Sequence, residues 1–297
     1  MKGKKVCCFM LMVILAFSTI QFSFGLSVAE GYNYGMQLSY SDGNKLPPAP
    51  IKISDLLGKQ LHLRVNNNTD TPDRFMLLCF LDGTLIPYEI NGKKDKDMQF
   101  QIDAKGIQEI DFTLALDTNY LYEESIIYII TVGQLDIIPK DSMDYYDLFS
   151  CGIAITIDET DRKGETRNIE NTGWAIFPLT NIDADGMYAY YQSAYDNQSE
   201  MGKTIVYGNV QEGYDLNIAV LGNNQEIALL LFVDNQPYFL DGEKTDIVFA
   251  ANDKLYSKTV HLELSEGTHS IYYVYMSLDC NMPDTWNTNK LSVVITK

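Results

Sequence analysis

The chain writes one phrase twice. LLCFLDG occupies residues 77–83 and LLLFVDN residues 229–235, so Leu77, Leu78, Phe80 and Asp82 recur as Leu229, Leu230, Phe232 and Asp234. A chain of 297 residues that repeats itself at this distance is built from two similar units in series. Each phrase is an apolar run closed by a turn pair, Asp82-Gly83 or Asp234-Asn235, the chemistry of a tight hairpin. The surrounding pattern has period two. LHLRV (61–65), QFQI (99–102), IDFTLAL (110–116), LNIAV (216–220), VHLEL (260–264) and LSVVI (291–295) alternate as strands do, and no stretch carries the periodicity of an amphipathic helix. The fold class is all-β.

Aligned on these landmarks, both copies read in the same order. Leu61-Leu63-Val65 matches Leu216-Ile218-Val220, and the repeated phrase comes next. Gly106 and Gly267 then precede IQEIDFTLALD and THSIYYVYMSLD, and the copies close on IIYIITV (126–132) and LSVVITK (291–297). About seven short strands per copy, at this spacing, predict two antiparallel β-sandwiches of immunoglobulin type. The expected layout is a first sandwich over 30–134, a connecting segment or appended hairpin over 135–188, and a second sandwich over 189–297. Within the connecting segment FSCGIAITIDE (149–159) and WAIFPL (174–179) read as two strands.

Residues 1–29 set the compartment. Lys2, Lys4 and Lys5 precede an apolar run over 7–20, and small residues come after it at Gly25 and Ser27-Val28-Ala29. That is the order of a secretory signal peptide, and the run is too short to span a membrane. The predicted destination is extracellular, with the protein either free or held non-covalently at the cell envelope, and with no membrane span in the mature chain. A net charge of −18, which deepens when the three lysines leave, argues against nucleic acid and anionic lipid as partners. Cys79, Cys151 and Cys280 remain after export. They match no zinc spacing, and two of them could be bridged. Cys79 stands where the second copy has Leu231, which marks a small buried apolar site.

LELSEGTHSIYYVYM (262–276) resembles the strand, Gly-Thr-His turn and strand of bacterial secreted tandem immunoglobulin-like or fibronectin type III-like domains. The resemblance implies a β-sandwich that acts as a spacer, adhesion or binding module, and it brings no shared catalytic residues. The first copy departs from it, with Ile107-Gln108 in place of Thr268-His269.

Candidate chemistry is sparse. His62, His261 and His269 lie in or beside strands, where bracing a turn or facing solvent is the ordinary role. His261 and His269 would form a two-ligand metal site only if adjacent strands brought them together. No phosphate loop, nucleophile elbow or HExxH motif is present. Asn181, Asp183 and Asp185, followed by Gly186, match the opening of a calcium loop. Position twelve is Gln192, however, and Asp and Gly are ordinary turn residues, so a plain turn is the leading reading and calcium the minor one. No other cofactor is expected.

Two features point to binding. The repeated strands are apolar on both faces, through Leu78 and Phe80 and through Leu230 and Phe232; the second face is either a binding patch or covered by another part of the chain. The loop CNMPDTWNTNK (280–290) sets Trp286 among Asn281 and Asp284, and its counterpart offers Tyr120 and Tyr122. An aromatic ring among amides and carboxylates suits a sugar or a protein partner; the competing role is a plug for the end of the sandwich. The function expected is a non-catalytic binding or spacer module, with a carbohydrate-binding component of a polysaccharide-processing system as the alternative.

Overall fold

The structure is a computed structural model that describes residues 34–117, 121–122, 124–138, 149–158, 171–178, 188–191, 205–239, 245–288 and 290–297. The predicted signal peptide, Tyr120 and the candidate calcium residues Asn181, Asp183 and Asp185 lie outside those residues. The chain is all-β; the one helical turn among the described residues is the 3-10 turn Ile53–Asp55.

The repeated phrases form the strands Asp73–Leu81 and Gln225–Val233. Both end in a two-residue turn whose central residues have positive φ: Asp82 and Gly83 in one, Asp234 and Asn235 in the other. Turns of this kind match the right-handed twist of the flanking strands. Each turn carboxylate then pins the long strand that pairs with the repeated one. Asp82 Oδ1 accepts the Ile126 N–H at 2.9 Å, and Asp234 Oδ1 accepts the Ser270 N–H at 2.9 Å. The backbone N–H of Asp82 donates to Ile126 O, and that of Asp234 to Ser270 O. Ile126 and Ser270 are therefore equivalent positions.

That equivalence corrects the sequence alignment. The strand Gly267–Ser277 corresponds to Glu124–Gly133, not to Ile107–Leu114, because each pairs antiparallel with the repeated strand. In register, Ile127, Tyr128, Ile129, Ile130 and Val132 of the first copy match Ile271, Tyr272, Tyr273, Val274 and Met276 of the second. Alternation identifies a strand but carries no information about its partner, so matching the glycines selected the wrong one.

Four sheets result. The outer sheet of the first half runs Tyr34–Tyr40, Leu61–Asn67, Ile107–Leu114, Tyr88–Ile90, Lys93–Asp95. Its inner sheet runs Phe149–Asp158, Glu124–Gly133, Asp73–Leu81, Thr84–Leu85, with Gln99–Ile102 also on Asp73–Leu81. This division of strands is that of an immunoglobulin-like sandwich. In the second half the outer sheet is Ala175–Pro178, Lys254–Leu262, Tyr214–Leu221, Tyr188–Tyr191. The inner one is Ile205–Asn209, Leu291–Thr296, Gly267–Ser277, Gln225–Val233, Gln236–Tyr238, with Asp246–Ala250 and Thr285–Asn287 added at its flanks.

Segment 135–188 is accordingly not a connecting unit or a hairpin. Phe149–Asp158 pairs with Glu124–Gly133 along its full length and closes the first half. Ala175–Pro178 pairs with Lys254–Leu262 and belongs to the second. The two strands read from the sequence exist, but they lie in different sheets.

Three apolar layers hold the stack together. Between the sheets of the first half lie Leu61, Leu63, Leu77, Cys79, Tyr88, Phe112 and Ile129, among others. Between those of the second lie Leu216, Ile218, Leu229, Leu231, Val260 and Tyr273. The third core fills the space between the two inner sheets. It contains Met76, Leu78, Phe80, Tyr128, Ile130 and Val132 from one half and Ala228, Leu230, Phe232, Tyr272, Val274 and Met276 from the other. These are six equivalent pairs, so one face packs against its own copy, as in a two-fold symmetric dimer joined within one chain. Phe232 stacks on Tyr272 at 5.0 Å between ring centroids. Full burial of such side chains is worth roughly 1.5–3 kcal/mol each over exposure. The doubly apolar strands are explained: one face packs into a sandwich, the other into its twin. The free binding patch considered from sequence is covered.

Hydrogen bonds obey the same pseudo-symmetry. Gln99 Nε2 donates to Asn235 O at 3.1 Å, while Thr245 Oγ1 donates to Gly83 O at 2.6 Å. Each hairpin tip is thus held by the segment that flanks the start of the other copy's repeated strand. A side chain at Gly83 would collide with Ala228, which with its φ of 82° accounts for glycine there.

Candidate functional site

Trp286 sits at the seam between the halves. The strand Thr285–Asn287 pairs with Val274–Met276, so its residues alternate between two faces. Thr285 and Asn287 turn toward the first half. Ser150 Oγ donates to Asn287 Oδ1 at 2.7 Å, and a side chain at Gly152 would overlap Thr285. Trp286 turns the other way, beside Tyr275, and is 55% exposed. The role of a plug is thereby excluded.

The indole is exposed yet fixed. Its Nε1–H donates to Asp284 Oδ2 at 2.6 Å. The backbone N–H of Asp284 donates in turn to Tyr128 Oη at 3.0 Å, and Tyr128 Oη donates to Ser277 O at 2.7 Å. Burial pushes the Tyr128 phenol well above its ordinary range, so it remains a neutral donor in the shared core. The chain of contacts runs from the interdomain core to the exposed ring. Met282, in the same loop, is 53% exposed. Asn281 is occupied by Asp279, whose Oδ1 accepts its backbone N–H at 2.9 Å.

Tyr122 is not part of this edge. Gly152, which faces Thr285, pairs with Ile130, whereas Tyr122 precedes Glu124 at the far end of that strand. Six residues of extended chain from Glu124 to Ile130 span about 20 Å. Tyr122 instead turns its backbone N–H to Ser125 Oγ at 2.9 Å.

A second candidate was not legible in the sequence. Tyr207, Gly208, Asn209, Glu212, Gly213, Tyr214 and Asp215 line an open groove of about 380 Å³ at one end of the second sandwich. Tyr207 is 74% exposed, and Asp215 Oδ1 pairs with His261 Nδ1 at 2.7 Å. The outer sheet of the first half carries a like pair, His62 Nδ1 to Asp111 Oδ1, also at 2.7 Å. Burial together with the neighbouring Asp215 charge pushes the Tyr214 phenol up to about 12. Glu212 and Asp215 are both exposed; a carboxyl acting as a general acid near neutrality needs the opposite environment.

The three histidines do not meet. His261 is on an outer sheet and His269 on an inner one, so the two-ligand metal arrangement does not form. His269 instead braces the repeated turn: its Nδ1 lies 2.7 Å from Asp234 Oδ2 and its Nε2 2.9 Å from Ser265 O. Partial burial opposes its protonation, but those two bonds outweigh it and hold its pKa above the ordinary value. No group of three or more His, Cys, Asp or Glu able to hold a metal ion occurs among the described residues.

Lys290 is the other residue sequence reasoning passed over. It is 1% exposed, and its Nζ donates to the carbonyls of Gln134, Leu135 and Ile137 at 3.0, 2.8 and 3.0 Å. Asn235 Nδ2 donates to Leu135 O as well, at 3.0 Å. A lysine of the second half thus caps the end of a strand in the first, with Tyr272 beneath its ammonium at 5.6 Å. Burial lowers its pKa to about 8.

No family model matches the chain, and no curated protein matches it significantly. Solved structures of similar shape include the YadV chaperone, with 13% identity and a TM-score of 0.23 over 80% of this chain and 94% of that one. The fibronectin(III)-like modules of Clostridium thermocellum CbhA match at 11% identity and a TM-score of 0.24 over 87% and 95%. Red sea bream transglutaminase matches at 9% identity and a TM-score of 0.25, over 90% of this chain but 32% of the enzyme. Likenesses this distant carry nothing about activity or ligand. The class of protein, all-β with immunoglobulin-like sheets, stands on the strand registers themselves.

Proposed function

We propose that the chain is an exported, non-catalytic binding module that engages a protein partner at the cell surface or in the extracellular space through the edge around Trp286. One observation carries this reading. A large aromatic ring is held half in solvent by a hydrogen-bond chain rooted in the shared core, and the same loop exposes a second apolar side chain, Met282. Rigid, exposed aromatics of this kind dominate binding where a partner covers them. The stacked sandwiches supply stiffness, since a core between inner sheets leaves little freedom at the seam. The order of residues 1–29 supports export.

The test compares the mature chain with Trp286→Ala. Trp286→Ala should change stability by less than about 1 kcal/mol. Labelled wild-type protein should bind cells or secreted proteins of the source organism, and the variant should lose most of that binding. Equal binding by both proteins would end the proposal. A faster check uses Trp174→Phe, which leaves Trp286 as the sole tryptophan. Its emission should be red-shifted and readily quenched.

A further inference from the structure

We propose that the open end of the second sandwich is a saccharide-binding groove, with Tyr207 as its aromatic platform and Asn209, Glu212 and Asp215 as its polar rim. This goes beyond the Trp286 edge and does not depend on it.

The two sandwiches begin alike at this end and then part. In the first half Ile51 makes a parallel bridge to Ile157 of the closing strand. In the second, Ile205–Asn209 runs parallel to the closing strand Leu291–Thr296. Beyond these parallel pairings the two ends differ. After Ile51 the chain forms the 3-10 turn Ile53–Asp55, and Ile53 and Leu56 sink into the core at 7% and 0% exposure. That end is filled. After Asn209 the chain reverses tightly, with Gly213 N–H donating to Asn209 O at 2.8 Å, and returns as Tyr214–Leu221. Among the described residues nothing plugs this second end, and the groove remains.

Two glycines let the turn pack closely against the sheet. A side chain at Gly208 would strike Ile295 at 2.7 Å, and one at Gly213 would strike Leu262 O at 2.6 Å and the His261 ring at 2.9 Å. Bare backbone at both points lets the turn lie against the sheet end, next to the Asp215–His261 pair.

The chemistry selects the ligand class. The lining includes two tyrosines, one amide and two carboxylates, with no lysine or arginine among the described residues. In a chain of net charge −18 such a groove repels anions. An aromatic face beside hydrogen-bond acceptors suits a pyranose, which offers an apolar C–H face and donating hydroxyls. The groove, of about 380 Å³, is wide open to solvent.

The experiment is calorimetric titration of the mature chain with neutral gluco-, manno-, xylo- and chito-oligosaccharides, with pentalysine alongside. At least one neutral oligosaccharide should bind and shift backbone amide resonances over residues 205–215. Tyr207→Ala should weaken that binding by about tenfold or more with an unchanged melting temperature, since the ring is 74% exposed. Glu212→Gln provides a second, conservative variant and should weaken it less. Failure of every neutral oligosaccharide, or binding of pentalysine alone, would overturn the proposal. So would sugar binding that survives Tyr207→Ala but disappears in Trp286→Ala; that result would move the ligand to the seam.

Discussion

The faces that the two copies turn toward each other have stayed alike, while their ends have diverged. Leu78 and Leu230, Phe80 and Phe232, and Tyr128 and Tyr272 occupy equivalent places in the shared core. At one free end, by contrast, Ile53 and Leu56 fill the first copy where the second leaves a groove under Tyr207. The difference is physical. In a self-packed interface each side chain meets residues of its own kind from the other copy, so a change in volume is felt on both sides. An end facing water has no such partner and can take on recognition. Trp286 and Tyr207 both lie outside the shared core.

The largest test of this comparison is to break the matched face. Phe80→Ala and Phe232→Ala should each cost about 3–5 kcal/mol, because each truncates a fully buried ring in the same core. Chemical denaturation would show it; a loss below about 1 kcal/mol at either site would mean that the halves do not share a core. A fragment of residues 171–297 should expose the same face and associate, either with itself or with a first-half fragment.

Lys290 sharpens the comparison, because its cap runs from the second half onto a strand end of the first. Lys290→Ala leaves buried carbonyls that lose a donor, and unsatisfied buried groups cost about 1–3 kcal/mol apiece. The expected loss is about 3 kcal/mol. The pH dependence has a definite sign. With a folded pKa near 8 against 10.5 unfolded, the unfolded chain holds more protons between those values. Stability of the wild type relative to Lys290→Met therefore rises as pH climbs through that window. Parallel denaturation curves at pH 7.5 and 10 would measure the change, and a falling difference would contradict the burial seen here.

Cys79 tests equivalence inside a sandwich. It is fully buried opposite Ile129, as Leu231 is opposite Tyr273, and burial pushes its thiol up. Cys79→Ser should cost about 1–3 kcal/mol by burying a hydroxyl without a designed partner. Thiol reagents should label it slowly in the native protein; rapid labelling would show the strand to be open.

The smallest effect separates the two turns. Both turn carboxylates hold the backbone of the long strand paired with the repeated one through Oδ1, but Asp234 also meets the His269 ring through Oδ2. Because the folded pKa of His269 is raised, its contribution is complete below pH 6.5 and fades as pH rises through the folded value. Wild type and His269→Gln should converge in melting temperature toward pH 8, and a gap that widens there would refute the assignment.

Residue pattern alone made the all-β class legible, since Leu61-Leu63-Val65 and Leu216-Ile218-Val220 alternate in the way half-buried strands must. The repeat and both hairpin turns were legible as well, because Asp82-Gly83 and Asp234-Asn235 tolerate positive φ. The buried state of Cys79 could be read from its match to Leu231. Less could be read of the sites. Trp286 stood out by its composition, but the bond holding its indole depends on where Asp284 falls after folding. The Asp215–His261 pair and the three carbonyls around Lys290 involve residues far apart in sequence, with no local spacing to reveal them.

Local chemistry therefore determined strands, turns and duplication, because each depends on neighbours a few residues away. Tertiary structure decided which strands pair, and it divided segment 135–188 between two sheets. It also covered Leu78, Phe80, Leu230 and Phe232 with one another. A strand that is apolar on both faces must bury both. Which surface does the burying is a long-range choice, made where two like faces remove the most apolar area from water together.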